Sequence, residues 1–329
     1  MQEEDIALLE RLGRARSDLI AAISQRIVGQ EAVIDAMLIS LFAGGHSLFI
    51  GVPGLAKTLL VQTVADALGL EFGRVQFTPD MMPTDITDTE VLHDDKATGV
   101  RALRFMRGPV FTNLLLADEI NRAPAKTQAA LLQAMAEGAV TAGGETHPLT
   151  APFMVFATQN PIEQEGTYPL PEAQLDRFMF SINVGYPTEA EEIAIVERTT
   201  VGAEASINPV LDRETLLKLS GLVKRLPTSR DVHSYAVRLA RATRPETSSL
   251  PSVAELVSWG AGPRASQCLA LGARVRAALH GHEVPSVEDV RAVAHLVLDH
   301  RVVLNFQAEA AGVTPSSVVD SILHEVPAS

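Results

Sequence analysis

Apolar residues over the first 187 positions follow two alternating rhythms. Short runs read as buried strands: Leu48-Phe49-Ile50, Arg74-Val75-Gln76-Phe77, Leu114-Leu115-Leu116-Ala117, Phe153 to Ala157, and Met179 to Val184. Between them, apolar residues recur every three or four positions, the spacing of a helix with one buried face. Such stretches run from Ile6 to Ile23, Val33 to Leu41, Leu60 to Leu68 and Ala129 to Met135. Five buried strands alternating with helices predict an α/β sandwich around a parallel sheet.

Beyond Pro187 the rhythm is helical throughout. Helices are expected over 188–200, 212–225, 229–242, 252–258, 264–280, 286–298 and 315–325, with prolines such as Pro227, Pro251 and Pro285 between them. Ser286 to Asp289 reads as a capping box and Thr314-Pro315 as a helix start. The expected organisation is an α/β core over 1–187 and an all-helical lid over 188–329. Two excursions leave the core. Residues 78–107 are turn-rich, with an exposed tip from His93 to Gly99 between two strand-like arms. Residues 139–150 read as a hairpin turning on Gly143-Gly144.

Composition narrows the class without naming a function. The 329 residues suit about two domains, and 47% hydrophobic with 20% charged residues is an ordinary globular profile. A net charge of −13 argues against a broad nucleic-acid surface. Cys268 is the only cysteine, so neither an intrachain disulfide nor a cysteine-based zinc site is available, and a reducing compartment fits. No apolar run reaches membrane-spanning length, and the acidic start Met1 to Asp5 lacks the basic opening of a signal peptide. The expected location is cytoplasmic.

Chemistry concentrates where strands end. Leu48 to Thr58 reads strand, Gly-rich turn, helix, with Lys57-Thr58 at the helix start. Backbone N–H groups and the positive helix end suit phosphates, Lys57 adds a cation, and Thr58 offers a hydroxyl to Mg²⁺. Ala56 stands where the general motif has glycine, so this loop is expected to need a helix-like rather than left-handed backbone there. The strand at 114–117 ends in Asp118-Glu119. These acids suit anchoring a hydrated Mg²⁺ and polarising a water, or simply cap the strand in solvent. Asn160 ends the next strand, either orienting a water or γ-phosphate oxygen or serving as a turn residue before Pro161. Arg177 reads either as an ion-pair partner of Asp176 or as a cation for a nucleotide on a neighbouring subunit.

These stretches resemble the MoxR branch of the AAA+ ATPases over nearly the whole chain. The resemblance rests on Gly51 to Thr58 (GVPGLAKT), Gln76 to Ile86, Leu114 to Pro124 (LLLADEINRAP), Ala157 to Pro161, Glu165 to Phe178 and Gly262 to Ala265. Alanine at position 56 is the usual residue of that family. The resemblance implies ATP and Mg²⁺ as ligands and a five-stranded sheet in the order 5-1-4-3-2. It implies Lys57 on the β- and γ-phosphates, Thr58 and Asp118 at the metal, Glu119 as general base and Asn160 as the sensor 1 asparagine. Arg177 matches the arginine finger, with Arg122 as the rival, and Arg264 the sensor 2 arginine. The nucleotide contacts implied are Val28, Gly29, Gly51, Pro53, Gly54, Leu55, Ala56, Lys57, Thr58, Leu59 and Arg264, with Val28 and Gly29 at the adenine. The two excursions match the helix-2 insert and the pre-sensor 1 hairpin, which face the ring pore in related proteins. A homo-oligomeric ring, a hexamer in such proteins, is implied, with a chaperone-like role on a client protein, including metal-cofactor insertion, beside a von Willebrand factor A domain protein.

Three other readings are weaker on the residues. A nucleic-acid motor of the same superfamily usually appends a basic module, and this chain is acidic with a plain helical tail. An ATP-binding scaffold without turnover tends to lose the base, whereas Glu119, Asn160 and Arg177 are all present. A metalloenzyme would need ligands that converge. His280 and His282 beside Glu283 are two apart at a helix end, and His295 and His300 are five apart, so neither pair shares a helix face.

Overall fold

The computed structural model describes residues 3–94, 101–142, 144–162, 166–200 and 205–328. Five strands form the central parallel sheet: β1 (Ser47–Ile50), β2 (Phe72–Gln76), β3 (Leu114–Asp118), β4 (Met154–Gln159) and β5 (Phe180–Asn183). They lie side by side as β2-β3-β4-β1-β5, so the order read from the other edge is the 5-1-4-3-2 expected.

Two-residue alternation, with a layer packed on each face, explains the apolar runs at the centre of the sheet. Phe49, Leu114, Leu116, Met154 and Phe156 face one layer, with the Phe49 and Phe156 rings stacked at 5.3 Å. Leu48, Leu115, Ala117, Val155 and Ala157 face the other. The first layer holds the helices Glu3–Ile23, Glu31–Ala43 and Lys57–Ala67 together with the lid, and the second holds the helix Ala125–Glu137. Gly44, at φ 70, ends the Glu31–Ala43 helix by donating its N–H to Leu41 and passing the next N–H, of Gly45, to Ser40. That stop lets the chain turn into β1 at Ser47.

The lid is mainly helical. In Arg230–Ala242, Val232, Tyr235, Ala236, Leu239 and Ala240 are buried at helical spacing. Ser229, Asp212, Asn305 and the capping boxes at Ser286 and Thr314 accept from the first free N–H groups of their helices. The lid departs from the expectation in three places, one of them the additional short helix Phe306–Ala310. Val257–Trp259 is a short strand paired antiparallel with Val303–Leu304, and the stretch 286–298 forms two helices, Val287–Ala292 and Ala294–Leu298. β-Branched and aromatic residues around Val257 favour the extended form once a partner strand is available, which helical spacing alone does not reveal.

Both excursions are antiparallel ribbons. Asp88–Asp94 pairs with Arg101–Arg107, and Ala139–Ala142 pairs with Glu145–Pro148. The tip 95–100 and the turn residue Gly143 lie outside the described residues. The Phe105 and His147 rings, stacked at 3.9 Å, join the two ribbons.

Candidate functional site

The C-terminal ends of β1, β2, β3 and β4 open into a cleft of about 440 Å³. Residues Pro53 to Leu59 line one wall; Arg74, Gln76, Asp118, Glu119, Thr158 and Asn160 line the other. In parallel sheets this edge is where ligands collect.

The first wall is built by a reversal of the chain between β1 and the next helix. Gly51 lies so close to Val184 that a Cβ would meet its carbonyl oxygen at 2.6 Å, and Gly54 turns at φ 86. Ala56 then adopts φ 52 and ψ 24, the left-handed region, which overturns the expectation of a helix-like backbone. The helix itself imposes this. Lys57 is its first residue and Leu60 N–H already bonds to Ala56 O at 2.9 Å, so the reversal must finish within residue 56. A left-handed alanine costs about 1–2 kcal/mol, a local strain held by the structure around it. Lys57 Nζ donates to Gly51 O at 2.5 Å and to Val52 O at 3.2 Å. Desolvation lowers its pKa below the ordinary lysine value, opposed by the charges of Asp118 and Glu119. Thr58 is the next residue along the same wall.

The second wall is a network of carboxylates. Asp118 closes β3, and Glu119 follows at φ 56 and ψ 49 before the tight turn Ile120–Arg122. A continued strand would send two successive side chains to opposite faces; the left-handed step lets both line one cleft. The Thr158 hydroxyl donates to Asp118 Oδ1 at 2.7 Å and accepts the Glu119 N–H at 2.8 Å. Arg74 Nη2 donates to Asp118 Oδ2 at 2.7 Å and to Gln76 Oε1 at 2.8 Å. Gln76 Nε2 donates to Glu119 Oε2 at 2.9 Å, and Arg122 Nη1 reaches the same oxygen at 3.1 Å. Asn160 is buried and its Oδ1 accepts the Ile162 N–H at 3.1 Å. The two readings of Asn160 therefore meet in one residue, a turn former that also lines the cleft.

Arg74, Gln76 and Thr158 were not singled out from the sequence. Their signal was present: Arg74 and Gln76 are polar residues two apart on a strand, hence on one face. The donor set at the cleft, a threonine hydroxyl and a carboxylate near the positive end of a helix, suits a hard cation such as Mg²⁺. Among the described residues, no group of three or more His, Cys, Asp or Glu side chains is placed to hold a metal. A cation at Thr58 and Asp118 would thus take its other ligands from water and phosphate oxygens.

Four of the other expected contacts, Gly51, Val28, Gly29 and Arg264, are not among the residues that line this cleft. Val28 and Gly29 are outside the lining of this cleft, and a Cβ on Gly29 (φ 66) would overlap the Glu191 carboxylate of the first lid helix, Glu189–Thr200. Arg264 does not reach the cleft of its own chain. It lies instead with Arg177, His46 and Cys268 around a second hollow of about 340 Å³. Arg177 Nη1 donates to Leu132 O at 2.5 Å, and Arg264 Nη1 lies 3.8 Å from Asp176 Oδ2. His46 accepts the Val155 N–H on Nδ1 at 3.0 Å, so its proton sits on Nε2, 3.2 Å from Met135 O. Burial pushes the pKa of this imidazole down to about 4 and keeps it neutral.

Known proteins resemble this chain at both levels. Residues 46–180 match the ATPase family associated with various cellular activities (AAA), and residues 252–322 match the AAA lid domain. The chain is 44% identical over 308 residues to the chaperone MoxR1 of Mycobacterium tuberculosis, covering 93% of this chain and 80% of that one. It is 33% identical to the MoxR protein of Methylorubrum extorquens, covering 93% of each. The crystal structure of a candidate ATPase from Cytophaga hutchinsonii superposes with a TM-score of 0.91 at 38% identity, covering 98% of this chain and 97% of that one. With the sheet order, the phosphate loop and the lid all in place, the chain belongs to the MoxR family of AAA+ ATPases.

Proposed function

We propose that this protein is a Mg²⁺-dependent ATP hydrolase whose active sites are completed between subunits of a ring, a hexamer by analogy with its family. One observation carries the reading. Lys57, Thr58, Asp118, Glu119 and Asn160 share one cleft, while Arg177 and Arg264 share a separate hollow away from it.

Each residue then has a task. The loop N–H groups and Lys57 bind the phosphates, Lys57 exchanging its two carbonyl partners for phosphate oxygens. Thr58 and Asp118 would hold Mg²⁺, which when bound neutralises charge on the phosphates. Glu119 takes a proton from the attacking water as the bond to the γ-phosphorus forms and the β–γ bridging oxygen departs with the bond electrons. Asn160 donates from its amide nitrogen to the water or a γ-phosphate oxygen. Arg177 stabilises the transition-state charge on the next subunit's nucleotide, with Arg264 beside it. Arg122 is engaged with Glu119 of its own chain, which favours Arg177 as the residue acting across the interface. Val28 and Gly29 are proposed at the adenine, and the core–lid boundary at Pro187. Hydrolysis would move the lid and the two ribbons, in service of a chaperone-like action on a client beside a von Willebrand factor A domain partner, metal-cofactor insertion included.

The test is phosphate release with Mg·ATP across a range of protein concentrations, for wild type and Glu119→Gln. Turnover rising more than linearly with concentration and abolished in the variant supports shared sites. Tight ATP binding with no turnover at any concentration would point to a binding scaffold instead.

A further inference from the structure

Asp176 to Met179 is the segment that carries Arg177 into β5, and the lid holds it chiefly through one side chain, with Arg264 Nη1 also 3.4 Å from Asp176 O and His300 Nε2 3.2 Å from Phe178 O. Arg301, in the short turn Asp299–Arg301, has a side chain only 2% exposed. Its Nε donates to Asp176 Oδ1 at 2.7 Å. Its Nη2 donates to Asp176 O at 3.1 Å and to Phe178 O at 2.7 Å. Its Nη1 donates to Val297 O at 2.5 Å, to Met179 O at 3.3 Å and to His300 Nε2 at 2.8 Å. One planar fork therefore fixes the carbonyls of residues 176, 178 and 179 and the carboxylate of 176. Arg177 is the residue of that segment whose carbonyl the fork leaves out, and its side chain is directed away to Leu132 O. The Asp176 carboxylate also lies 3.8 Å from Arg264.

A guanidinium with several donors in a rigid plane can hold a loop in one geometry, which a single-point ammonium cannot. Burying it without that many partners would be strongly unfavourable. An inter-domain anchor alone would be satisfied by one carboxylate. Here the donors are spent on the backbone either side of Arg177.

We infer that Arg301 is the positioning residue for Arg177: the lid sets the aim of the arginine that acts on the neighbouring subunit's nucleotide. This rests on the shared-site reading above. In consequence, a movement of the lid in one subunit is transmitted to catalysis in the next through residues 176–179.

Complementation between subunits tests this. Arg301→Lys keeps the charge and loses the fork, and Asp176→Ala, at a partly exposed acceptor, removes the Nε contact without emptying a buried site. Each is expected to lower kcat, by up to about 10²-fold for a misaimed group, with nucleotide affinity little changed. Mixing either variant with excess Glu119→Gln protein is expected to restore turnover. The variant's own base is then served by a correctly aimed Arg177 from its neighbour. Arg177→Ala mixed with Glu119→Gln is the control. Recovery in the control but not with the Arg301 or Asp176 variants overturns the inference and makes Arg301 a structural anchor only. Full turnover in both variants unmixed overturns it as well. No recovery in the control removes the shared-site reading itself, and the inference with it. Should Arg301→Lys fail to fold, Asp176→Ala alone decides.

Discussion

The two charged regions of this molecule are stabilised in opposite ways. At the cleft, carboxylates at the ends of β3 are held by side-chain donors from β2, β4 and the turn after β3: Arg74, Gln76, Thr158 and Arg122. At the second hollow and in the lid turn beside it, arginines are held largely by backbone carbonyls, Leu132 O for Arg177 at the hollow and the 176, 178 and 179 carbonyls for Arg301 next to it. Side-chain partners can swing aside when a better ligand arrives, whereas a backbone carbonyl moves only with the chain that carries it. The cleft is built to rearrange around a ligand, and the second hollow to present a fixed cation. The cleft holds Glu119, and Arg177 lies outside it at the second hollow.

The sharpest way to break this comparison is Arg177→Ala. If the second hollow supplies the cation for another subunit's cleft, turnover falls by about 10³-fold or more while ATP affinity in the variant stays near wild type. A phosphate-release assay beside a binding titration checks it. An equal loss in both would place Arg177 in its own chain's site.

Next comes acidity, which should strike the second hollow first. His46 has a folded pKa of about 4 against an ordinary 6.5, so the unfolded chain binds the proton more readily. Its contribution is fully present above pH 6.5 and is lost as pH falls towards 4, to a total of about 3 kcal/mol. Burial holds His300 down as well, in the same direction. Chemical denaturation at stepped pH is expected to show the decline, shallower in His46→Gln.

The smallest effect belongs to the cleft. Ala56→Gly removes the left-handed strain, and the gain is partly cancelled by the freer unfolded chain, for a net stabilisation of about 1 kcal/mol. A thermal melt rising slightly confirms that position 56 carries strain; a fall would mean that the alanine methyl contributes packing of its own.

Much of the fold was legible because the central strands β3 and β4 are apolar on both faces and run into polar residues. Leu114 to Ala117 followed by Asp118-Glu119 states both burial and edge. Helix limits such as Glu189–Thr200 and Pro263–Leu279 followed from spacing, proline and capping residues. Three things lay beyond that reading. Ala56 and Glu119 are left-handed because neighbouring elements force the turn, and no local preference announces it. The Val257–Trp259 ribbon depends on a partner more than forty residues away. The pairing of Arg177 with Arg264, and the grip of Arg301, exist only once the lid has docked on the core.

Asn160 deserves a last consideration, because its carbonyl oxygen is committed to the Ile162 N–H. What it can present to the cleft is the amide nitrogen, a donor. That nitrogen can meet a lone pair. An aspartate would keep the turn and the size but meet an anionic ligand with like charge. The asparagine is in this sense a polarity filter, one whose orientation is set by the chain's own bend before any ligand arrives.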